Sequence, residues 1–273
     1  MSAASLLVAT WLASVPVLSV VEDPPLEVTV PHMESAEAQL AYARRLKGEL
    51  RKRKPQERDF WRGLTVEAYE AVPHFFPDAS AFGSEACFRA GELLRVAGEV
   101  ERARAVFRRA RRLGRGTPFR ARAGLELGHL ARRAGELRAA REAYLDVASD
   151  ASASRAHRDD AWIWAGRVWA TEGRIEDARS AWRRVADGDG DALDRIFAFD
   201  ELALSRVAED DLEAAAGVLN QCVQALSEVA LEETRRGESV RNALVRMRVI
   251  RALRRQISSD RSSRRAHDHP RRS

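Results

Sequence analysis

Aspartates alternate with glycines at Asp187-Gly188-Asp189-Gly190-Asp191, the composition of a calcium loop in which carboxylates at alternate positions ring the cation. The register fails here. Counted from Asp187, the position that must turn sharply on glycine is Ala192, and the position of the bidentate glutamate is Ala198. The stretch therefore reads as a solvated turn whose aspartates cap the next helix. His267-Asp268-His269 carries metal-ligating side chains, but it lies among arginines and serines that bury no core, and it reads as unstructured tail. The chain has no phosphate loop with its lysine, no serine elbow between glycines, no paired-histidine metalloprotease helix and no cysteine pair at metal spacing. His74 and His157 fall at turns and need no role. The expectation is a protein that is not an enzyme, with no catalytic residue, no metal and no cofactor.

What organises the chain is a repeat. Gly91 and Gly98, Gly128 and Gly135, Gly166 and Gly173, and Ala203 and Asp210 each place a small residue seven positions before a turn residue. Successive turn residues are 37, 38 and 37 positions apart, the range of a solenoid repeat. Five residues after each turn comes an alanine (Ala103, Ala140, Ala178, Ala215), and four further on a large apolar residue (Phe107, Tyr144, Trp182, Leu219). Apolar residues recur at three- and four-residue spacing on both sides of each turn, which predicts two amphipathic helices per unit. The turn glycine suits a left-handed helix terminus. The small residue before it would let the second helix approach closely, with the alanine after the turn as its counterpart. One such pair cannot bury its apolar face alone, so neighbours must stack.

These residues resemble the tetratricopeptide repeat. Trp162, Ala165, Gly166, Trp169, Gly173, Ala178 and Trp182 fill the family frame almost completely, and Cys87 to Phe107, Gly124 to Tyr144 and Phe199 to Leu219 follow it. The family period of 34 and its helix-ending proline are not kept, which points to longer links at Leu113 to Thr117, Ser149 to Ala156 and Asp187 to Asp191. The resemblance implies an all-α fold, a right-handed α-α superhelix of about four helix pairs, flanked by an N-terminal helical extension and a C-terminal capping helix. Upstream, Val66 to Asp78 looks like the second helix of a further, degenerate repeat, ending at a phenylalanine-proline-aspartate turn similar to those of bacterial envelope proteins, namely the outer-membrane assembly lipoprotein and the periplasmic partner of the Tol-Pal system. Pro73 argues against an unbroken helix there. Glu34 to Lys54 would supply the matching first helix.

The resemblance further implies a concave groove lined by first-helix positions off the packing stripe, namely Phe88, Glu92, Arg95, Leu125, His129, Arg132, Arg133, Ile163, Trp164 and Arg167. Its centre is basic with apolar neighbours, which suits an acidic protein or peptide ligand rather than a small-molecule substrate. The lysine and asparagine set with which some family members clamp a terminal carboxylate is absent. Trp162, Trp169 and Trp182 fall on core positions, while Trp164 lies out of phase and is a candidate partner contact. Cys87 and Cys222 also fall on core positions, three repeats apart, and are expected as buried, unbridged thiols.

Charge and the termini complete the organisation. From Arg241 onward there are eleven arginines against Asp260 and Asp268, a net of +9, which leaves −4 for the other 240 residues of a chain totalling +5. The basic excess is thus a property of the tail and not of the repeats. Residues 1–24 hold an uncharged apolar stretch, 5–21, read as a signal peptide, a membrane anchor or a docking helix. Residues 25–82 form a linker and helical region, 83–236 the repeats, 237–257 the cap and 258–273 a disordered basic tail. The expected function is a protein-protein interaction scaffold in the periplasm or cell envelope. A cytoplasmic adaptor of the same fold is the alternative, and a nucleic-acid-associated protein acting through the tail is the second.

Overall fold

A computed structural model of the chain describes residues 30–233. These form helices α1 (Ala36–Lys52), α2 (Arg58–Phe75), α3 (Ser80–Ala97), α4 (Val100–Leu113), α5 (Pro118–Arg133), α6 (Leu137–Ala148), α7 (Arg155–Thr171), α8 (Ile175–Ala186), α9 (Ala192–Val207) and α10 (Leu212–Glu233). Each helix packs against its predecessor and its successor, and the first helices of neighbouring pairs also touch. The result is an all-α superhelix of five antiparallel pairs among the described residues. The expected N-terminal extension is a complete pair, α1 with α2, joined through a single 3-10 turn at Pro55–Glu57. The N-terminal apolar stretch, the capping helix and the basic tail lie outside the described residues.

Pro73 does not interrupt α2, contrary to the sequence expectation. It stands in the last turn, so the one bond its missing N–H forfeits, to the Tyr69 carbonyl, affects only the helix end, and its ring is buried, 3.2 Å from where a side chain on Gly83 would begin. The links 114–117, 149–154 and 187–191 fall where long connections were expected. In the last of these, the Asp191 carboxylate caps α9 by accepting from the Leu193 N–H at 2.8 Å.

The four turn residues share one conformation. Gly98, Gly135 and Gly173 have φ of 81°, 77° and 77°, and Asp210, the only non-glycine with positive φ among the described residues, has 59°. In each case the next residue's N–H reaches back to a carbonyl of the helix just ended: Glu99 to Leu94, Glu136 to Ala131, Arg174 to Trp169 and Asp211 to Arg206. This is the Schellman closure, which satisfies carbonyls that the helix end leaves free.

Seven residues upstream, the small residue has a different counterpart from the one its spacing suggests. A side chain on Gly91 would start 2.6 Å from the Phe107 ring, one on Gly128 2.4 Å from Tyr144, and one on Gly166 2.3 Å from Trp182. The large residue of the second helix therefore seats on the glycine, and the following alanines fill the remaining buried volume. The fourth unit uses Ala203 with the smaller Leu219, both buried in one cluster. Cys87 and Cys222 are buried and unbridged, and burial pushes both thiols up to about 12.

A second regularity ties unit to unit. Six residues after the turns stand Arg104, Arg141 and Arg179, and each reaches a glutamate beside the next unit's turn: Glu136, Glu172 and Glu209. The third of these is the most enclosed, with Arg179 only 1% exposed. The fourth unit has Ala216 at this position, so the series of clamps stops there.

Candidate functional site

The first helices α1, α3, α5, α7 and α9 present a shared face whose residues recur in register with the turns. Nine positions before each turn residue stand Arg89, Glu126, Trp164 and Glu201; six before, Glu92, His129, Arg167 and Leu204; three before, Arg95, Arg132, Ala170 and Val207. Over the N-terminal pairs these charges neutralise one another across helices. Arg44 meets Glu85 at 2.7 Å, Lys47 meets Glu92 at 3.6 Å, and Arg95 meets Glu126 at 3.2 Å. Beyond the centre, Arg167 meets Glu201 at 2.6 Å.

Between α5 and α7 the ladder of ion pairs gives way to an aromatic cluster. Trp164 lies under two guanidinium groups, with Arg132 at 4.8 Å and Arg167 at 4.3 Å from the ring centre. The His129 ring meets it edge-on at 4.8 Å, and the Tyr144 ring stacks at 6.2 Å. His129 Nδ1 and the Tyr144 hydroxyl share a 2.7 Å hydrogen bond. Tyr144 belongs to a second helix, and it reaches this face only because Gly128 has no side chain to block it. Among the described residues neither Arg132 nor Arg133 has a carboxylate within 4 Å. Next along the face, Leu204 is 49% exposed and Val207 37% exposed, an apolar patch on α9.

Three of the ten residues expected to line this face do not. Phe88, Leu125 and Ile163 are buried at 2%, 6% and 4% exposure. They occur ten residues before their turns and enter the seam between units; Phe88, for example, lies 5.7 Å from both the Phe107 and Phe119 rings. A first helix in a stack is buried on two sides, by its own partner and by its neighbours, so its apolar stripe is wider than that of a helix packed on one side. Glu92, Arg95, His129, Arg132, Trp164 and Arg167 lie on the face and are partly buried, and Arg133 is exposed. Trp164 is thus neither core nor free surface. Leu204, Val207, Glu126 and Glu201 were not anticipated, although carrying the register into the fourth unit points to the first two.

Electrostatics keep the centre cationic but His129 neutral. Burial, followed by the charges of Arg133, Arg132, Arg95 and Arg167, lowers the imidazole to about 4. An unfolded histidine titrates near 6.5, so between pH 6.5 and 4 the unfolded chain binds a proton that the folded one refuses, and stability falls on acidification through that window. The full shift corresponds to about 3 kcal/mol, and solvent screening of this partly exposed ring reduces the expected loss to about 2 kcal/mol. Asp194 works in the opposite sense. Burial and the neighbouring Asp191, Asp160 and Asp159 raise it to about 6, so its contribution declines as pH rises from the usual carboxylate range to 6. Comparing urea midpoints of the wild type and His129→Gln from pH 4 to 7 isolates the histidine: the difference should shift steadily across the window, and a constant difference would contradict the burial argument.

Paired helices, Schellman turns and glycine-seated rings make the chain, by fold, a tetratricopeptide-like helical solenoid. No protein-family model and no curated protein sequence matches it. Among solved structures it is similar to the MamA RS-1 ArsTM double mutant, at TM-score 0.50 and 17% identity over 76% of this chain and 100% of that one. It is also similar to BtubC (BKLC) from P. vanneervenii, at 0.49 and 16% over 88% and 97%, and to the TPR-like repeats of a putative kinesin light chain from Podosopora anserina, at 0.48 and 16% over 72% and 99%. At these identities the likeness concerns the fold alone. Among the described residues no helix is long and apolar enough to cross a membrane, and no group of side chains could hold a metal ion.

Proposed function

We propose that the chain is a non-enzymatic interaction scaffold whose first-helix face holds an acidic segment of a partner protein. One observation carries this reading. Among the described residues the ion-pair ladder is broken at the α5–α7 junction, where Arg132, over the Trp164 ring, and the adjacent Arg133 have no carboxylate within 4 Å, while the Asp160 carboxylate accepts a hydrogen bond from Trp164 and interacts with Arg167; exposed Leu204 and Val207 lie within the same face. Unneutralised guanidinium groups next to an aromatic and an aliphatic patch suit a peptide that alternates carboxylates with apolar side chains. A fluorescein-labelled peptide of alternating glutamate and leucine provides the test. Arg132→Glu with Arg133→Glu should weaken its binding at least tenfold, and unchanged binding would remove the face from consideration.

The apolar stretch 5–21 supports a place in the periplasm or cell envelope, by cleaved export signal or by anchor, with a cytoplasmic scaffold as the alternative. The intact mass of native protein from fractionated cells decides between them. A chain beginning near Val20 outside the cytoplasm is expected, and a full-length cytoplasmic chain would overturn the envelope reading.

A further inference from the structure

The second helices form a separate surface. Between α8 and α10 runs a trough of about 560 Å³ floored by Phe199 and Leu202 of α9, and between α4 and α6 lies a comparable one of about 540 Å³. The two differ in how their charges are met. Across the α4/α6 trough, Arg104 holds Glu136 in a two-bond pair at 2.7 and 2.9 Å, and Arg111 pairs with Asp146. In turn register, the equivalents on α10 of Glu142 and Asp146 are Gly217 and Gln221, and Arg111 is replaced by Ala186. Over residues 212–225 of α10 no carboxylate lines the α8/α10 trough, yet Arg183, Arg195 and Arg206 do.

Those arginines are poorly neutralised. Among the described residues Arg183 and Arg195 have no carboxylate within 4 Å, and the Arg206 partner, Glu209 at 3.4 Å, also pairs with Arg179. Among the described residues the single carboxylate in the lining is Asp187. On the α10 wall a side chain on Gly217 would meet nothing within 4 Å, so the wall has an open notch where a backbone can come close.

We infer that the α8/α10 trough is a second docking site, for an acidic helical segment of a partner protein. Two roughly parallel walls over a third helix accept a rod, the apolar floor takes one face of it, and the arginines take its carboxylates. Charge complementarity favours a partner over the chain's own residues 241–273 as the occupant, because eleven arginines against two aspartates give that segment the same sign as the trough. The site does not depend on the reading of the first-helix face.

The test uses the full chain carrying Arg132→Glu and Arg133→Glu, so that the first-helix face is disabled. The probe is a labelled alanine-based helical peptide with glutamate at every fourth position, compared with its glutamine counterpart. The glutamate peptide should bind at least tenfold more tightly. Arg183→Glu and Gly217→Leu should each weaken it at least tenfold, whereas Gly217→Ala should change it less than threefold. Gly217→Leu fills open space and leaves the fold intact, so circular dichroism should be unaltered. Equal binding of the two peptides, or wild-type affinity in Gly217→Leu, would overturn the inference. So would binding that appears only when residues 234–273 are removed, since the chain's own tail would then be the occupant.

Discussion

Arg179→Ala is expected to be among the most destabilising single changes in the described residues, lowering stability by about 3–5 kcal/mol. The guanidinium is 1% exposed and serves three directions at once. Its Nε donates to the Ser205 hydroxyl at 3.0 Å, Nη2 donates to the Ser205 carbonyl at 3.1 Å and to Glu209, and Nη1 donates to Glu176 at 2.6 Å. Burial opposes its charge, but Glu209 and Glu176 hold it above the ordinary arginine range. Truncation leaves a cavity between α8 and α9 and removes the donors that satisfy the end of α9. Lysine is a poor substitute, because one ammonium cannot span the same acceptors. The equivalent Arg104→Ala should cost markedly less, since Arg104 is less enclosed, at 11% side-chain exposure, and among the described residues pairs only with the exposed carboxylates of Glu136 and Glu101, leaving no buried hydroxyl or carbonyl without its donor. Urea midpoints of the two variants check the contrast, and equal losses would mean that burial is not what gives the clamp its strength.

Gly166→Ala should destabilise by about 2–3 kcal/mol, although alanine is intrinsically the better helix former by about 1 kcal/mol. The new methyl would begin 2.3 Å from Trp182 Nε1 and 2.7 Å from Cε2, so the indole must move. That ring is 2% exposed, and its N–H donates to the Ile163 carbonyl at 3.1 Å. Moving it breaks a buried hydrogen bond as well as a close packing contact. Gly217→Ala, in open space on α10, should instead stabilise by about 0.5–1 kcal/mol. Gly166→Ala combined with Trp182→Leu imitates the Ala203 and Leu219 pair of the fourth unit and should recover part of the loss. A double-mutant cycle with no coupling between the two positions would show that the glycine and the ring do not act as a pair.

These two sites differ in how visible they are from sequence. The glycine and the ring stand at fixed offsets from each turn, so their repetition marks them without a structure. The partners of Arg179 lie 26 and 30 residues further along, with Glu176 alone nearby, and nothing local singles out a buried arginine in an arginine-rich chain. Only the stacking of one unit on the next brings Ser205 and Glu209 to it.

The candidate site divides in the same way. The arginines on the first helices and the departure of Trp164 from the packing stripe were legible, because a repeat register assigns each residue to a face. Its boundaries were not. Phe88, Leu125 and Ile163 were assigned to that face from their phase on a single helix, but the depth to which a neighbouring unit covers them depends on the angle and spacing between units. Tyr144 reaches His129 through the gap left by Gly128, a contact made across a pair and not along a helix.

Sequence alone therefore determined the architecture of this protein. A left-handed turn every 37 or 38 residues and a bare backbone seven residues before it are local demands that only a few residue types satisfy, so the residues declare them. Tertiary structure alone decided which charges remain unpaired. Whether an arginine meets a carboxylate depends on side chains about 30 residues apart being brought within a few ångströms by the packing of successive units, and that Arg132, Arg133, Arg183 and Arg195 have no carboxylate within 4 Å among the described residues emerges only from that packing.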